Sequence, residues 1–104
     1  MAVTAKALAR VAAATSSTTL YTVPNTSTST VVTNIVVTNT ATSSATFTIN
    51  IDSVAVLSGV SLAANSSAFF DLKQVIPANA TPKTITGLAS ATTVNFHISG
   101  VEIA

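Results

Sequence analysis

The residues able to do chemistry are few: one His, four basic residues, the acids Asp52, Asp71 and Glu102, and no Cys in 104 residues. His97 stands between Phe96 and Ile98, beside Asn95 and Ser99, so a Ser-His-Asp arrangement can be drawn on paper. No G-x-S-x-G elbow or comparable sharp turn presents a nucleophile, and a surface or interface His is the reading to expect. A metal centre needs several His or clustered carboxylates, whereas these acids are isolated from one another in sequence. Two carboxylates can flank a glycosidic bond, but such clefts are lined by aromatics and this chain has no Trp. Asp71 and Lys73, two residues apart, could pair as acid and base; the ordinary reading is a solvent-side ion pair worth ~0.2–1 kcal/mol. No glycine-rich phosphate loop or dinucleotide fingerprint occurs. The expectation is a protein that is not an enzyme, with no metal and no cofactor.

Composition narrows the class further. Charged residues are 7% of the chain, and its polarity comes instead from 19 Thr and 13 Ser. Thr is β-branched and hydrogen-bonds without charge, so a Thr-rich face favours strand without repelling a neighbour. Sheet edges are ordinarily blunted with Lys, Pro or inward charges, and only Lys6, Arg10, Lys73 and Lys83 are at hand. Partner chains covering the edges or faces are therefore expected, which makes the chain a homo-oligomer. A net charge of +1 is too small for a nucleic-acid footprint. Arg10 interrupts what would be the apolar part of a secretory signal, and no apolar run approaches the ~20 residues of a membrane span. Neither nucleic acid nor membrane is an expected partner, and assembly in a cytoplasm is.

The elements that must position these residues are organised around Thr30 to Asp52. Ala45, Phe47, Ile49 and Ile51 alternate with Thr46, Thr48, Asn50 and Asp52, the period of a half-buried strand. Before them Val31, Val32, Ile35, Val36 and Val37 are apolar on both parities and predict a central strand covered on two sides. Asn39 to Ser44 suits a hairpin-length connection between the two. Further strands are expected at Thr18–Val23, Val54–Leu57, Val60–Leu62 after a Ser58-Gly59 turn, Ala68–Ile76 and Thr84–Leu88, the last closed by Gly87. In Ala68–Ile76, Phe70, Leu72 and Ile76 share one face and Phe69, Asp71 and Lys73 the other. In the last strand Val94, Phe96 and Ile98 lie on one parity, Val101 and Ile103 on the other. A β-bulge at Gly100, or a crossing between sheets, would account for that change.

Residues 1–14 form an N-terminal arm or short helix, since Ala, Lys, Leu and Arg favour helix but no capping box precedes them. Residues 15–104 form one domain. About seven or eight short strands with frequent turn signals predict a single all-β domain, an antiparallel β-sandwich or jelly-roll-like barrel. As an arm, the N-terminal segment would point Lys6 and Arg10 at one neighbouring surface; the plain alternative is that both are solvated charges. Pro77 to Lys83 is the longest turn cluster and a second contact candidate, through Pro77, Asn79, Pro82 and Lys83. The N-x-S/T sequons at Asn25, Asn65 and Asn79 are close to chance in a chain so rich in Ser and Thr.

Four stretches, TTLYTVP (Thr18 to Pro24), VVTNIVVTNT (Val31 to Thr40), ATFTI (Ala45 to Ile49) and FHISGVEI (Phe96 to Ile103), resemble small structural proteins of tailed bacteriophage virions. In length and β-sandwich character the chain also resembles the decoration or cement proteins of phage capsids. It departs from them in having PNTSTST where a Gly-rich turn would follow LYTVP. The resemblance implies a capsid decoration (cement) protein on the virion surface, a homotrimer that bridges and stabilises subunits of the major capsid protein. Two other readings stand beside it: a tail, neck or baseplate component, and a carbohydrate-binding adhesion module with Tyr21 or Phe69 as its aromatic platform.

Overall fold

A computed structural model describes residues 2–104 and shows an antiparallel β-sandwich. Its nine strands are β1 (Val3–Ala12), β2 (Thr18–Thr22), β3 (Ser29–Asn39), β4 (Ala45–Ile51), β5 (Val54–Leu62), β6 (Ser66–Phe70), β7 (Gln74–Ile76), β8 (Thr84–Ala89) and β9 (Val94–Ile103). One sheet has the order β1-β9-β3-β6, with β7 also paired to β3; the other has the order β2-β8-β4-β5. With β7 taken as a continuation of β6, β1 and β2, β9 and β8, β3 and β4, and β6 and β5 occupy matching places in the two sheets. That is the double wrap of a jelly roll, which decides the topology that alternation alone left open.

The core follows from the alternation. Ala45, Phe47, Ile49 and Ile51 of β4 are buried, as are Val32, Ile35 and Val37 of β3 and Val94, Phe96 and Ile98 of β9. Phe47 meets Phe70 and Phe96 edge to face, with ring centroids 6.0 and 6.2 Å away, an arrangement that suits the ring quadrupoles. β3 is a central strand, flanked by β9 on one side and by β6 and β7 on the other.

Several local expectations are corrected. Val3–Ala12 is not a helix but strand β1, laddered to β9, so the segment lies along its own sheet, as the arm reading has it. Asn39 to Ser44 is short, yet it joins β3 to β4 across the two sheets and is no hairpin. The hairpin lies one step later: Asp52 and Ser53, at φ 53° and 62°, form a two-residue turn between the paired Ile51 and Val54. Both central residues at positive φ match the twist of the flanking strands, as in a type I′ turn. Ser58-Gly59 is not a turn. It is an irregularity inside the single strand β5, where Gly59 at φ 57° donates its N–H to Thr48 Oγ1 at 3.0 Å.

Gly87 does not close β8 but sits within it, buried where a Cβ would stand 2.9 Å from Leu20 Cδ1 and 3.3 Å from Phe96 Cε2. The irregularity expected at Gly100 exists, but on the neighbouring strands. β9 runs on without a break, while β1 carries an extra residue at Leu8, opposite the Ile98–Ser99 step, and β3 one at Thr33, opposite the Ser99–Gly100 step. Gly100 keeps its inward phase because a side chain there would collide with the Val31 carbonyl oxygen and with Leu8.

Candidate functional site

Among the described residues the His and the acids do not converge on one centre. His97 lies on the outer face of the first sheet, opposite Arg10 of β1 and Val36 of β3. Among the described residues no three His, Asp or Glu side chains gather as a metal cluster would. Asp71 and Lys73 are both exposed on the solvent side, as their parity requires, and they form no ion pair with each other.

The main polar cluster closes the core between the sheets. Tyr21 of β2 reaches from the second sheet to the first, donating its O–H to Glu102 Oε2 of β9 at 2.5 Å and lying 2.8 Å from Thr30 Oγ1 of β3. Lys6 of β1 completes it, with Nζ 3.3 Å from Glu102 Oε2. Burial, then the adjoining Glu102 carboxylate, push the Tyr21 phenol up to about 12. Four strands from both sheets are tied by this group, and a charge-assisted O–H···O bond of the kind contributes about 1.5–3 kcal/mol. Its role is to hold the sandwich together. At the opposite end Asn39, fully buried, spends its amide on the carbonyls of Ser43, Leu62 and Ala63 and accepts from the Ala41 N–H.

Of the contact residues read from the sequence, Lys6 and Arg10 part company. The extra residue at Leu8 turns Lys6 inward to Glu102 and Arg10 outward beside His97, so they do not address one surface. Pro77, Asn79, Pro82 and Lys83 lie together in the loop that carries the chain from β7 to β8. Asn79 Oδ1 there accepts from the Thr81 N–H at 3.0 Å, and Lys83 sits 3.4 Å from Asp52. Hydrogen bonds from the Ala78 N–H to Ser29 Oγ and from the Val23 N–H to the Lys83 carbonyl fix this loop at the end of the sandwich where β1 begins. Tyr21 is buried and offers no platform; Phe69, 76% exposed, lies on the outer face.

What the sequence missed is the distribution of exposed apolar groups. Val3 and Val11 lie on β1, and Val54, Phe69 and Val75 on β5, β6 and β7. Every one is on a strand at a lateral side of the sandwich, β1 beside β2 at one side and β5 beside β6 at the other. A shallow groove of about 450 Å³ runs between β5 and β7, lined by Ile51, Asp52, Val54, Val56, Gln74 and Val75 among others.

Fold and surface together define a jelly-roll sandwich with exposed apolar side chains on its lateral strands. No family model matches the chain, and no curated protein matches it. Two solved structures share the fold. A chain of the T13 IBDV viral particle superposes with a TM-score of 0.56 at 14% identity, over 97% of this chain and 30% of that one. A chain of infectious bursal disease virus, Gx strain, superposes with a TM-score of 0.53 at 15% identity, over 97% and 30% respectively. The protein thus spans under a third of either neighbour, and at such identities the likeness is one of fold.

Proposed function

We propose that this chain is a non-enzymatic virion structural protein: a capsid decoration or cement protein of a tailed bacteriophage, trimeric, bridging major capsid subunits on the particle surface. The observation that carries the reading is that, among the described residues, the exposed large apolar side chains all lie on the lateral strands while the chemistry-bearing residues are dispersed. A jelly roll is a recurrent capsid architecture, and the two fold neighbours belonging to viral particles support the setting. Function comes from mass action: many modest contacts, each existing only in the assembled shell, add to its stability.

The test is made on particles. Those lacking the protein are expected to open at lower temperature and milder osmotic shock than complete ones, and density for the protein should cover the shell uniformly. Equal resistance refutes cementing. Density confined to the tail or baseplate transfers the structural role there.

A further inference from the structure

A protein that works by contact needs defined surfaces between its copies, and the two lateral sides of this sandwich are unlike. One is the free edge of β1, a strand of mostly small residues with Val3 62% and Val11 44% exposed. The other is concave: the free edge of β6 and β7 stands beside the groove shared with β5, flanked by Val54 at 66% and Val75 at 63% exposure.

We propose that the occupant of the concave side is β1 of a second copy, so that each molecule adds its β1 to the β6–β7 edge of the next. Such a contact is head-to-tail, the kind that closes into a ring when the rotation between copies divides the circle. The inference rests on the self-associating structural role proposed above and names its surfaces.

Strand direction allows it. β1 and β3 run the same way and β6 and β7 the opposite way, because each neighbour in the order β1-β9-β3-β6 is antiparallel. A neighbouring molecule in the same orientation therefore brings β1 to β7 antiparallel, with the ring axis along the strands. Register allows it too. Two cross-strand rows span the outer face, Arg10–His97–Val36–Phe69 and Ala5–Val101–Val31–Val75. Extended into the next molecule, they set its Arg10 beside Phe69 and its Ala5 beside Val75.

Charge favours this partner over the symmetrical one. Arg10 and Asp71 are exposed and have no ion pair among the described residues. In the head-to-tail contact Arg10 gains the face of Phe69 and the carboxylate of Asp71, next to which Lys73 also stands. Pairing β1 with β1 would instead bring Arg10 no carboxylate, because β1 itself carries no acid.

The chain has no Cys, so introduced thiols report alone. Ala5→Cys and Val75→Cys variants, purified separately and mixed under mild oxidation, are expected to give a covalent dimer only in the mixture. The two sites of one molecule are three strands apart, about 14 Å, too far for an internal disulfide. Arg10→Glu should weaken association at least tenfold by sedimentation, and adding Asp71→Arg should restore it. Unchanged melting curves for each variant show that the fold is intact. Dimers from Ala5→Cys alone, or no cross-link in the mixture, overturn the inference. Heat and osmotic resistance of particles are scored separately, so failed cross-links with stabilised particles refute this contact and spare the structural role.

Discussion

Gly100→Ala tests the packing that lets β1 join the sandwich. A Cβ at this position meets the Val31 carbonyl oxygen, Leu8 Cδ1 at 2.7 Å and Leu8 Cγ at 3.3 Å. Carbon contacts sit comfortably at 3.5–4.0 Å, so both the Leu8 side chain and the β3 backbone must move by the better part of an ångström. Overpacking of this kind costs about 1–3 kcal/mol, and the involvement of backbone argues for the upper half. Replacing Gly also restricts the unfolded chain, which returns about 0.4–1 kcal/mol. The net expectation is a loss of about 2 kcal/mol, read by urea unfolding as a fall in midpoint at constant slope. Leu8→Ala alone should cost about 2–3 kcal/mol, since Leu8 is 6% exposed. The double variant should lose at least 1 kcal/mol less than the sum, because the deleted side chain is the one in collision. It should still fall short of complete relief, because the Val31 carbonyl stays in place. A loss below about 0.5 kcal/mol for Gly100→Ala, or strict additivity with Leu8→Ala, would refute the account of why β9 is glycine there.

Two further predictions concern the polar groups that hold the ends of the core. Tyr21 ionises near 10.0 when unfolded and about 12 when folded, so between those values the unfolded chain binds fewer protons and stability falls as pH rises. The contribution is present in full below pH 10 and on the order of 2–3 kcal/mol of it is lost across that window, so Tyr21→Phe should flatten the slope in chemical denaturation at pH 9 to 12. Asn39→Ala removes one side chain from three carbonyls and the Ala41 N–H at a fully buried position. A thermal shift equivalent to about 2–4 kcal/mol is expected, and one below 0.5 would mean that water takes over these bonds.

Strands with strict alternation were readable because local pattern and tertiary demand agree. In β4 every apolar position is buried. Ala68–Ile76 is not one strand, since it breaks at 71–73 between β6 and β7, but its faces hold, with Phe70, Leu72 and Ile76 on the core and Phe69, Asp71 and Lys73 in solvent. β1 was illegible because an extra residue at Leu8 breaks its period and its Ala, Lys, Leu and Arg favour helix; the ladder with β9 overrides that preference. The hairpin at Asp52-Ser53 lacked the Asn-Gly or Asp-Gly signal, whereas Ser58-Gly59 carried a turn signal and served a strand irregularity. Where glycine occurs, at Gly59, Gly87 and Gly100, it marks a backbone constraint, but its kind depends on a distant partner. Gly100 is the plainest example, since what excludes a side chain there comes from β1 and β3.

The same distance in sequence explains why the contact surfaces were only half visible. Lys6 and Arg10 were recognisable as scarce charges, but their division between Glu102 and the His97 row depends on pairing a strand near one end of the chain with the strand at the other. The jelly-roll wrap makes that pairing unavoidable: β9 lies between β1 and β3, so the opening strand is placed at a sheet edge with one ladder instead of two. β1 is rich in Ala with a single Thr, and of its two charges Lys6 is engaged by Glu102, so the edge keeps little of the protection that free Lys or Pro would give. Low charge and jelly-roll topology thus act together. The topology leaves a long edge free, and the composition leaves it able to pair, which is why the arrangement of strands, more than any single residue, directs the search for function to the lateral edges.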